Sequence, residues 1–173
     1  AAAALVCNQA ALSKFARKRA VRVLASVLAS SRTRDWGDFD RHVCRLAARK
    51  AYEEAGVGPN EISVAEVHDA SAFAEILQTE LLGFCAMGEG GALVDSGATT
   101  LGGRIPVNPS GGLESKGHPI GATGLGQIYE LVLQLRGEAG VRQVEGARLA
   151  LAENGGGFEG VEEAVAAVTM LGS

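Results

Sequence analysis

Strand-like and helix-like segments alternate along most of this chain, and that order limits its fold more than any other feature. Apolar residues at alternate positions predict strands at residues 2–7, 21–29, 61–67, 105–108, 147–153 and 161–169. Apolar residues at helical spacing predict helices at residues 41–55, 71–84 and 119–136. Strands that alternate with helices need parallel crossovers, whereas the closing pair of strands can be antiparallel. We therefore predict an α/β layered fold with helices on both faces of a central sheet.

The composition is that of a folded domain with an unusual amount of glycine. The chain has 173 residues, of which 47% are hydrophobic and 21% charged, so a packed core is expected. A formal net charge of −4 argues against a general binder of nucleic acid or of anionic membranes, because such surfaces concentrate cations against phosphate. The 24 glycines indicate tight turns or backbone that lies close to a ligand.

The three cysteines, Cys7, Cys44 and Cys85, form no closely spaced pair. This pattern predicts neither a disulfide framework nor a metal site, and it suits a reducing cytoplasm. No apolar run reaches the roughly 18 residues of a membrane span, and residues 1–12 do not resemble a signal peptide. The chain begins without Met in an apolar run, which predicts a buried strand from a longer protein.

Polar residues and glycines gather just after the predicted strands, in four loops. These loops are His68-Asp69-Ala70-Ser71, Asn108 to Gly112, Gly117-His118-Pro119 and Glu153 to Gly157. Ligand sites of open α/β sheets form beyond the carboxyl ends of strands, where such loops meet. A single histidine in a loop usually caps a strand or helix, but the recurrence of these loops favours a shared site.

Residues 107–140, VNPSGGLESKGHPIGATGLGQIYELVLQLRGEAG, resemble the GHP region of the thiolase superfamily. The resemblance is greatest to the branch linked to sterol carrier protein, the non-specific lipid-transfer proteins. It implies a thiolase-like fold, in which two βαβαβαββ halves form a five-layer αβαβα sandwich. Residues 13–173 resemble the carboxyl-terminal half, and residues 1–12 would contain the last strand of the amino-terminal half.

The resemblance also implies which residues form a site. His118 corresponds to the GHP histidine, which holds a thioester oxygen and helps to activate the nucleophile, and His68 corresponds to a position that completes an oxyanion hole. Two donors aimed at one developing oxyanion can contribute about 3 kcal/mol each. The candidate catalytic residues are His68, His118 and Glu153. The candidate substrate-binding residues are Ser71, Asn108, Gly117, Gly155 and Gly156.

The sequence departs from the family pattern at both cysteines of the reaction. The acyl-accepting cysteine of the family lies in the other half, and Cys7, Cys44 and Cys85 lack its context. The second cysteine, which acts as acid and base, is expected at position 153 or at position 70, where this chain has Glu153 and Ala70. Two interpretations of Glu153 stay open: a substitute base whose pKa is raised by burial, or a structural partner of a loop N–H.

The resemblance implies an acyl-CoA substrate and either acyl transfer, as in acetyl-CoA acetyltransferases, or cleavage or formation of a C–C bond. One alternative is a thiolase-like aldolase that performs a retro-aldol reaction on a β-hydroxyacyl-CoA. Another is a non-catalytic acyl-CoA or lipid-binding protein. No cofactor is expected beyond the coenzyme A of the substrate. Expected partners are the missing amino-terminal half, a second copy in a homodimer and, in some relatives, a small zinc-ribbon/OB-fold protein.

Overall fold

A computed structural model describes residues 1–15 and 19–173. The four strands are β1 (Arg22–Ser30), β2 (Val64–Glu66), β3 (Leu149–Gly156) and β4 (Val165–Gly172). The α-helices are α1 (Val43–Ala55), α2 (Ala72–Leu81), α3 (Gly90–Asp95), α4 (Gly112–Lys116) and α5 (Thr123–Arg136). Strands and helices are mixed in one sheet-centred unit, so the predicted α/β class is confirmed.

The four strands form one sheet in the order β1-β4-β3-β2. Strand β2 pairs with β3 in parallel, whereas β4 lies antiparallel to both β1 and β3. Strands β1, β2 and β3 therefore share one direction, as their helical crossovers require, and β4 is inserted between them in the opposite direction. The predicted antiparallel closing pair is β3 and β4.

Several predicted strands differ from the observed ones. Residues 2–7 form no strand, because within the described ranges they have no neighbouring strand to pair with. Residues 105–108 contribute a single parallel bridge, between Val107 and Ala65. The last strand begins at Val165 rather than at residue 161. Strand β3 continues through Gly155 and Gly156, which pair with Ala166 and Val165, so two of the three glycines of the predicted loop at residues 153–157 belong to the sheet.

Some helix ends lie where the sequence predicts them and others do not: α2 ends at Leu81 rather than at residue 84, and α5 begins at Thr123 rather than at residue 119. The Ser71 side chain accepts a hydrogen bond from the N–H of Ala74 and so caps the start of α2. Helix α1 ends at Gly56, which has a φ of 69°. That left-handed conformation is accessible to glycine at little cost and closes the last turn. The short helices α3 and α4 lie in segments for which the sequence analysis predicts no helix.

Two clusters of apolar side chains pack on opposite faces of the sheet. Residues of α1 and the end of α2 pack on one face, which also receives Leu151 of β3. Leu131 and Leu135 of α5 pack on the other face with Ala150 and Ala152. Successive side chains of a strand point to opposite faces. Glu153 therefore lies on the α1 face and Asn154 on the α5 face. Among the described helices, none is long and apolar enough to span a membrane.

Candidate active site

Two of the chain's three histidines meet at one end of the sheet. His68 follows β2, and His118 follows α4. Their ring centroids lie 4.9 Å apart, with the rings nearly perpendicular at 88°. Both line a cavity of about 670 Å³ whose surface is mostly apolar. The structure thus brings together two imidazoles that are 50 residues apart in the sequence, beside a space large enough for a ligand.

Two acidic residues near the end of β2 hold the segment that leads to His118. The carboxylate of Asp69 accepts hydrogen bonds from the N–H groups of Leu113 and Glu114, at 2.7 and 3.4 Å. The carboxylate of Glu66 accepts from both the N–H and the hydroxyl of Ser110. Residue 112 must be glycine for this approach, because its φ is 61° and a Cβ there would collide with the Asp69 carboxylate.

Glu153 contacts the backbone of His68 and does not face the cavity. Its Oε2 accepts a hydrogen bond of 3.0 Å from the backbone N–H of His68. The side chain is fully buried, is not among the cavity-lining residues, and its Oε1 has no partner among the described residues. Burial raises the pKa of Glu153 to about 8, opposed in part by the His68 hydrogen bond. Near neutral pH a carboxyl with that pKa is mainly protonated and uncharged.

The two imidazoles have different hydrogen-bond partners. His68 Nδ1 lies 3.2 Å from the side-chain nitrogen of Asn154. His118 Nδ1 lies 2.7 Å from the hydroxyl of Thr123 at the start of α5. Burial, and secondarily the neighbouring His118, lower the pKa of His68. Both Nδ1 atoms are therefore engaged by the scaffold, which leaves the Nε2 atoms for a ligand.

Three of the five predicted substrate-binding residues line the cavity: Ser71, Gly155 and Gly156. Gly155 has no room for a side chain, because a Cβ there would lie 2.6 Å from Cγ of Glu163. Gly117 lies away from the cavity as the exposed residue that ends α4.

Asn108 also lies away from the cavity, although its backbone has a φ of 49°. It accepts a hydrogen bond from the N–H of Val67 and donates one to Glu75. These bonds join the end of β2 to α2 and to the loop of Asn108. In this structure Asn108 thus helps to shape the loops rather than the cavity wall.

The cavity lining also includes a cluster of charged and ionisable side chains, most of them buried. Glu162 Oε2 accepts a hydrogen bond of 2.6 Å from Arg34 and another from the N–H of Val43. His42 Nε2 lies 3.6 Å from the carboxylates of both Glu162 and Glu163. Exposed apolar side chains border the cavity, namely Trp36, Phe73, Ile120 and Phe158. The sequence analysis missed this cluster because its members are far apart in the chain.

No cysteine is among the residues that line this cavity in the described part of the chain. Cys7 is exposed, and Cys85 is partly buried elsewhere. Cys44 is buried on α1, and burial raises the pKa of its thiol far above the ordinary value. A thiol with so high a pKa is a poor nucleophile. Within the described residues, no group of three metal-binding side chains is present either.

Comparisons with known proteins agree with this architecture. Residues 25–169 match the family described as thiolase C-terminal domain-like. The chain is 46% identical over 163 residues to human sterol carrier protein 2, covering 89% of this chain and 29% of that protein. It is 53% identical over 114 residues to an acetyl-CoA acetyltransferase of Methanothermobacter thermautotrophicus, covering 66% of this chain and 30% of that protein.

A solved structure shows the same fold. The structure titled Ltp2-ChsH2(DUF35) aldolase superposes with a TM-score of 0.71 at 24% sequence identity, covering 88% of this chain and 39% of that one. The chain thus spans less than a third of the two curated relatives and less than half of the solved structure.

Proposed function

Because this chain belongs to the family of thiolase C-terminal domain-like proteins, we propose that it forms part of a protein that acts on acyl-CoA thioesters. The reaction is acyl transfer, or cleavage or formation of a C–C bond beside the thioester carbonyl. The observation that carries this proposal is the pair of imidazoles, 4.9 Å apart, beside one mostly apolar cavity. Names of relatives that include acetyl-CoA acetyltransferase support the same substrate class.

The role proposed for the two histidines follows from the chemistry of thioesters. Making or breaking a C–C bond at the α-carbon places negative charge on the thioester oxygen, as an enolate. Acyl transfer places charge on the same oxygen, as a tetrahedral oxyanion. Imidazole N–H groups held near that oxygen stabilise the charge as it develops. Exclusion of water by a partner that covers the cavity would strengthen this effect, because less water would then compete for the oxygen.

A retro-aldol reaction is the second candidate, and the surroundings of the imidazoles favour it in one respect. Of the described residues that line the cavity, none is a cysteine, and the Glu153 carboxyl accepts a hydrogen bond from the His68 N–H outside that lining. In a retro-aldol step, the β-hydroxyl loses its proton and the Cα–Cβ bond breaks to release a carbonyl compound. The electron pair moves to the thioester oxygen, and the enolate is then protonated at Cα. This step needs no thiol.

The proposal assigns the nucleophilic cysteine, if the reaction uses one, to the part of the protein outside this chain. The exposed apolar side chains around the cavity support a covering partner there, since monomers rarely leave such a patch in water. We propose the amino-terminal thiolase half as that partner, with homodimer formation and a zinc-ribbon/OB-fold protein as further partners. A cytoplasmic location is likewise a proposal.

The test uses the full-length protein with His118→Ala. Turnover should fall on the order of 100-fold, as expected when one oxyanion donor is lost. The dissociation constant of a non-reactive acyl-CoA should change little, because this donor acts mainly in the transition state. Val141→Ala, at a remote position that is 95% exposed, is the matched control.

Parallel assays on a 3-ketoacyl-CoA with free coenzyme A and on a β-hydroxyacyl-CoA separate the two reactions. Thiolysis of the first substrate supports the thiolase reaction, and release of a carbonyl compound from the second supports the aldolase. If the protein binds acyl-CoA but turns over neither substrate, it is a non-catalytic carrier and the proposed enzymatic function is wrong. Unchanged turnover in His118→Ala would contradict the proposed role of the imidazole pair.

A further inference from the structure

A chain of side-chain amides on the α5 face of the sheet connects the backbone to His68. Gln127 of α5 is buried, and its side-chain nitrogen donates a hydrogen bond of 2.9 Å to the backbone carbonyl of Glu153. The side-chain nitrogen of Asn154 donates a bond of 3.0 Å to the Gln127 side-chain oxygen. The same Asn154 nitrogen lies 3.2 Å from Nδ1 of His68. Neither Gln127 nor Asn154 was among the candidate residues of the sequence analysis.

The direction of every hydrogen bond in this chain follows from its first member. A backbone carbonyl can only accept, so the Gln127 group beside the Glu153 carbonyl must be its NH₂. Its oxygen then faces Asn154 and must accept, which requires Asn154 to present its own NH₂. The reversed orientation of Asn154 would place two carbonyl oxygens against each other. The amide orientations are therefore set by the network rather than chosen freely.

The last bond sets the protonation of His68. The Asn154 NH₂ group can only donate, so Nδ1 of His68 must accept, and it does so only as an unprotonated nitrogen. A neutral imidazole with a bare Nδ1 carries its hydrogen on Nε2. We infer that Gln127 and Asn154 are positioning residues that hold His68 as the neutral Nε2–H tautomer.

This tautomer suits one role in the proposed reaction and excludes another. An Nε2–H group is a hydrogen-bond donor for the thioester oxygen, whereas it has no lone pair with which to remove a proton. The inference rests on the proposed function for its catalytic meaning, since it makes His68 the donor and leaves proton transfer to another group. The tautomer itself is a property of the site that does not depend on which substrate binds.

Histidine NMR tests the tautomer directly. Long-range ¹H–¹⁵N spectra of the full-length protein, labelled at histidine, distinguish an Nε2–H from an Nδ1–H imidazole, and His68→Gln identifies the signal. We expect the Nε2–H pattern in the unmodified protein. In Asn154→Asp, the carboxylate accepts instead of donating, so Nδ1 of His68 should gain a hydrogen. In Gln127→Leu, Asn154 loses the acceptor that orients it, and both tautomers should be populated.

The matched control is Gln134→Leu. Gln134 is also a buried glutamine of α5, but its side chain bonds to Glu130, Arg142 and Val144 at the other end of the helix. This variant loses comparable packing and hydrogen bonding without touching the network. The His68 spectrum should therefore stay unchanged in Gln134→Leu, which separates a specific effect from general destabilisation.

Kinetics of the same variants supply the second measurement. In Asn154→Asp, kcat should fall on the order of 100-fold, the effect of losing one oxyanion donor, with KM changed less than threefold. An Nδ1–H signal in the unmodified protein, or an unchanged His68 spectrum in both network variants, would overturn the inference. If the spectra change as expected but no acyl-CoA is turned over by the unmodified protein, the proposed function is wrong and the tautomer assignment stands.

Discussion

Two buried glutamates on neighbouring strands each hold a segment that carries one of the two histidines. Glu66 of β2 accepts two hydrogen bonds from Ser110, and Lys116 lies 3.7 Å from its Oε2, in the segment that leads to His118. Glu153 of β3 accepts one hydrogen bond, from the N–H of His68. Both side chains are fully buried. The two differ in the number and charge of their partners rather than in burial.

This difference decides how strongly each carboxyl group holds a proton. Burial raises the pKa of Glu66, but the Ser110 hydrogen bonds and the Lys116 charge oppose the rise. For Glu153, burial is opposed by the His68 N–H among the described residues, the nearby Glu163 charge adds to the rise, and the pKa rises to about 8. Burial is the main cause of the rise at both sites, and the partners of each carboxyl group set how far that rise is opposed.

The largest expected effect is the dependence of stability on pH that the raised pKa of Glu153 contributes. Below pH 4.5 the residue is protonated in both the folded and the unfolded chain. Between 4.5 and about 8 the unfolded chain releases the proton while the folded chain keeps it, so stability falls as pH rises. Relative to Glu153→Gln, the unmodified chain should lose up to about 4 kcal/mol of unfolding free energy between pH 5 and pH 8.

Urea unfolding of both chains at several pH values measures this effect. Glu66→Gln is the matched comparison, and its pH-dependent difference from the unmodified chain should be smaller because Ser110 and Lys116 oppose the rise of the Glu66 pKa. If the pH-dependent difference from the unmodified chain were equal for Glu153→Gln and Glu66→Gln, the hydrogen-bond and charge partners would not explain a difference between the two pKa values. If Glu153 is structural, turnover in Glu153→Gln should stay within tenfold of the unmodified protein. If Glu153 acts as the substitute base, this variant should lose nearly all activity.

A smaller effect is expected when the better-partnered carboxylate is removed. Glu66→Ala leaves the Ser110 N–H and hydroxyl without their acceptor and removes the carboxylate that lies beside the Lys116 ammonium. We expect a loss of about 3 kcal/mol in unfolding free energy at pH 7, because donors stay unpaired in a partly buried site. Thermal and urea unfolding measure it, with Glu75→Ala as a control at a less buried carboxylate. A loss below about 1 kcal/mol would mean that the Ser110 segment is held by other contacts.

The smallest effect is expected for Lys116→Met. The Lys116 side chain is 42% exposed, so its attraction to Glu66 is screened by water and should contribute at most about 1 kcal/mol. Without this cation the pKa of Glu66 should move upward, toward the behaviour of Glu153. The pH dependence of unfolding in Lys116→Met should therefore steepen relative to the unmodified chain. An unchanged pH profile would show that the Ser110 hydrogen bonds, and not the Lys116 charge, oppose the rise of the Glu66 pKa.

The sequence predicted those parts of the molecule that depend on local signals. Helical spacing and a following glycine placed α1 and its end at Gly56, and Ser71 marked the start of α2. Strand ends are less well marked, because pairing with a neighbour determines where a strand stops. Gly155 and Gly156 illustrate this point, since turn-forming glycines became sheet residues through their pairing with β4.

By itself, the sequence determined the α/β class, the family resemblance and the positions of His68 and His118 beyond ordered elements. Only the tertiary structure decided which groups surround them. The alternation of side chains along β3 directs Glu153 toward α1 and Asn154 toward α5. On the α5 side, Asn154 forms a hydrogen bond with Gln127, which lies 27 residues away in the chain. Such networks depend on distances between elements that local periodicity does not encode, because a hydrogen bond forms or fails within a few tenths of an ångström.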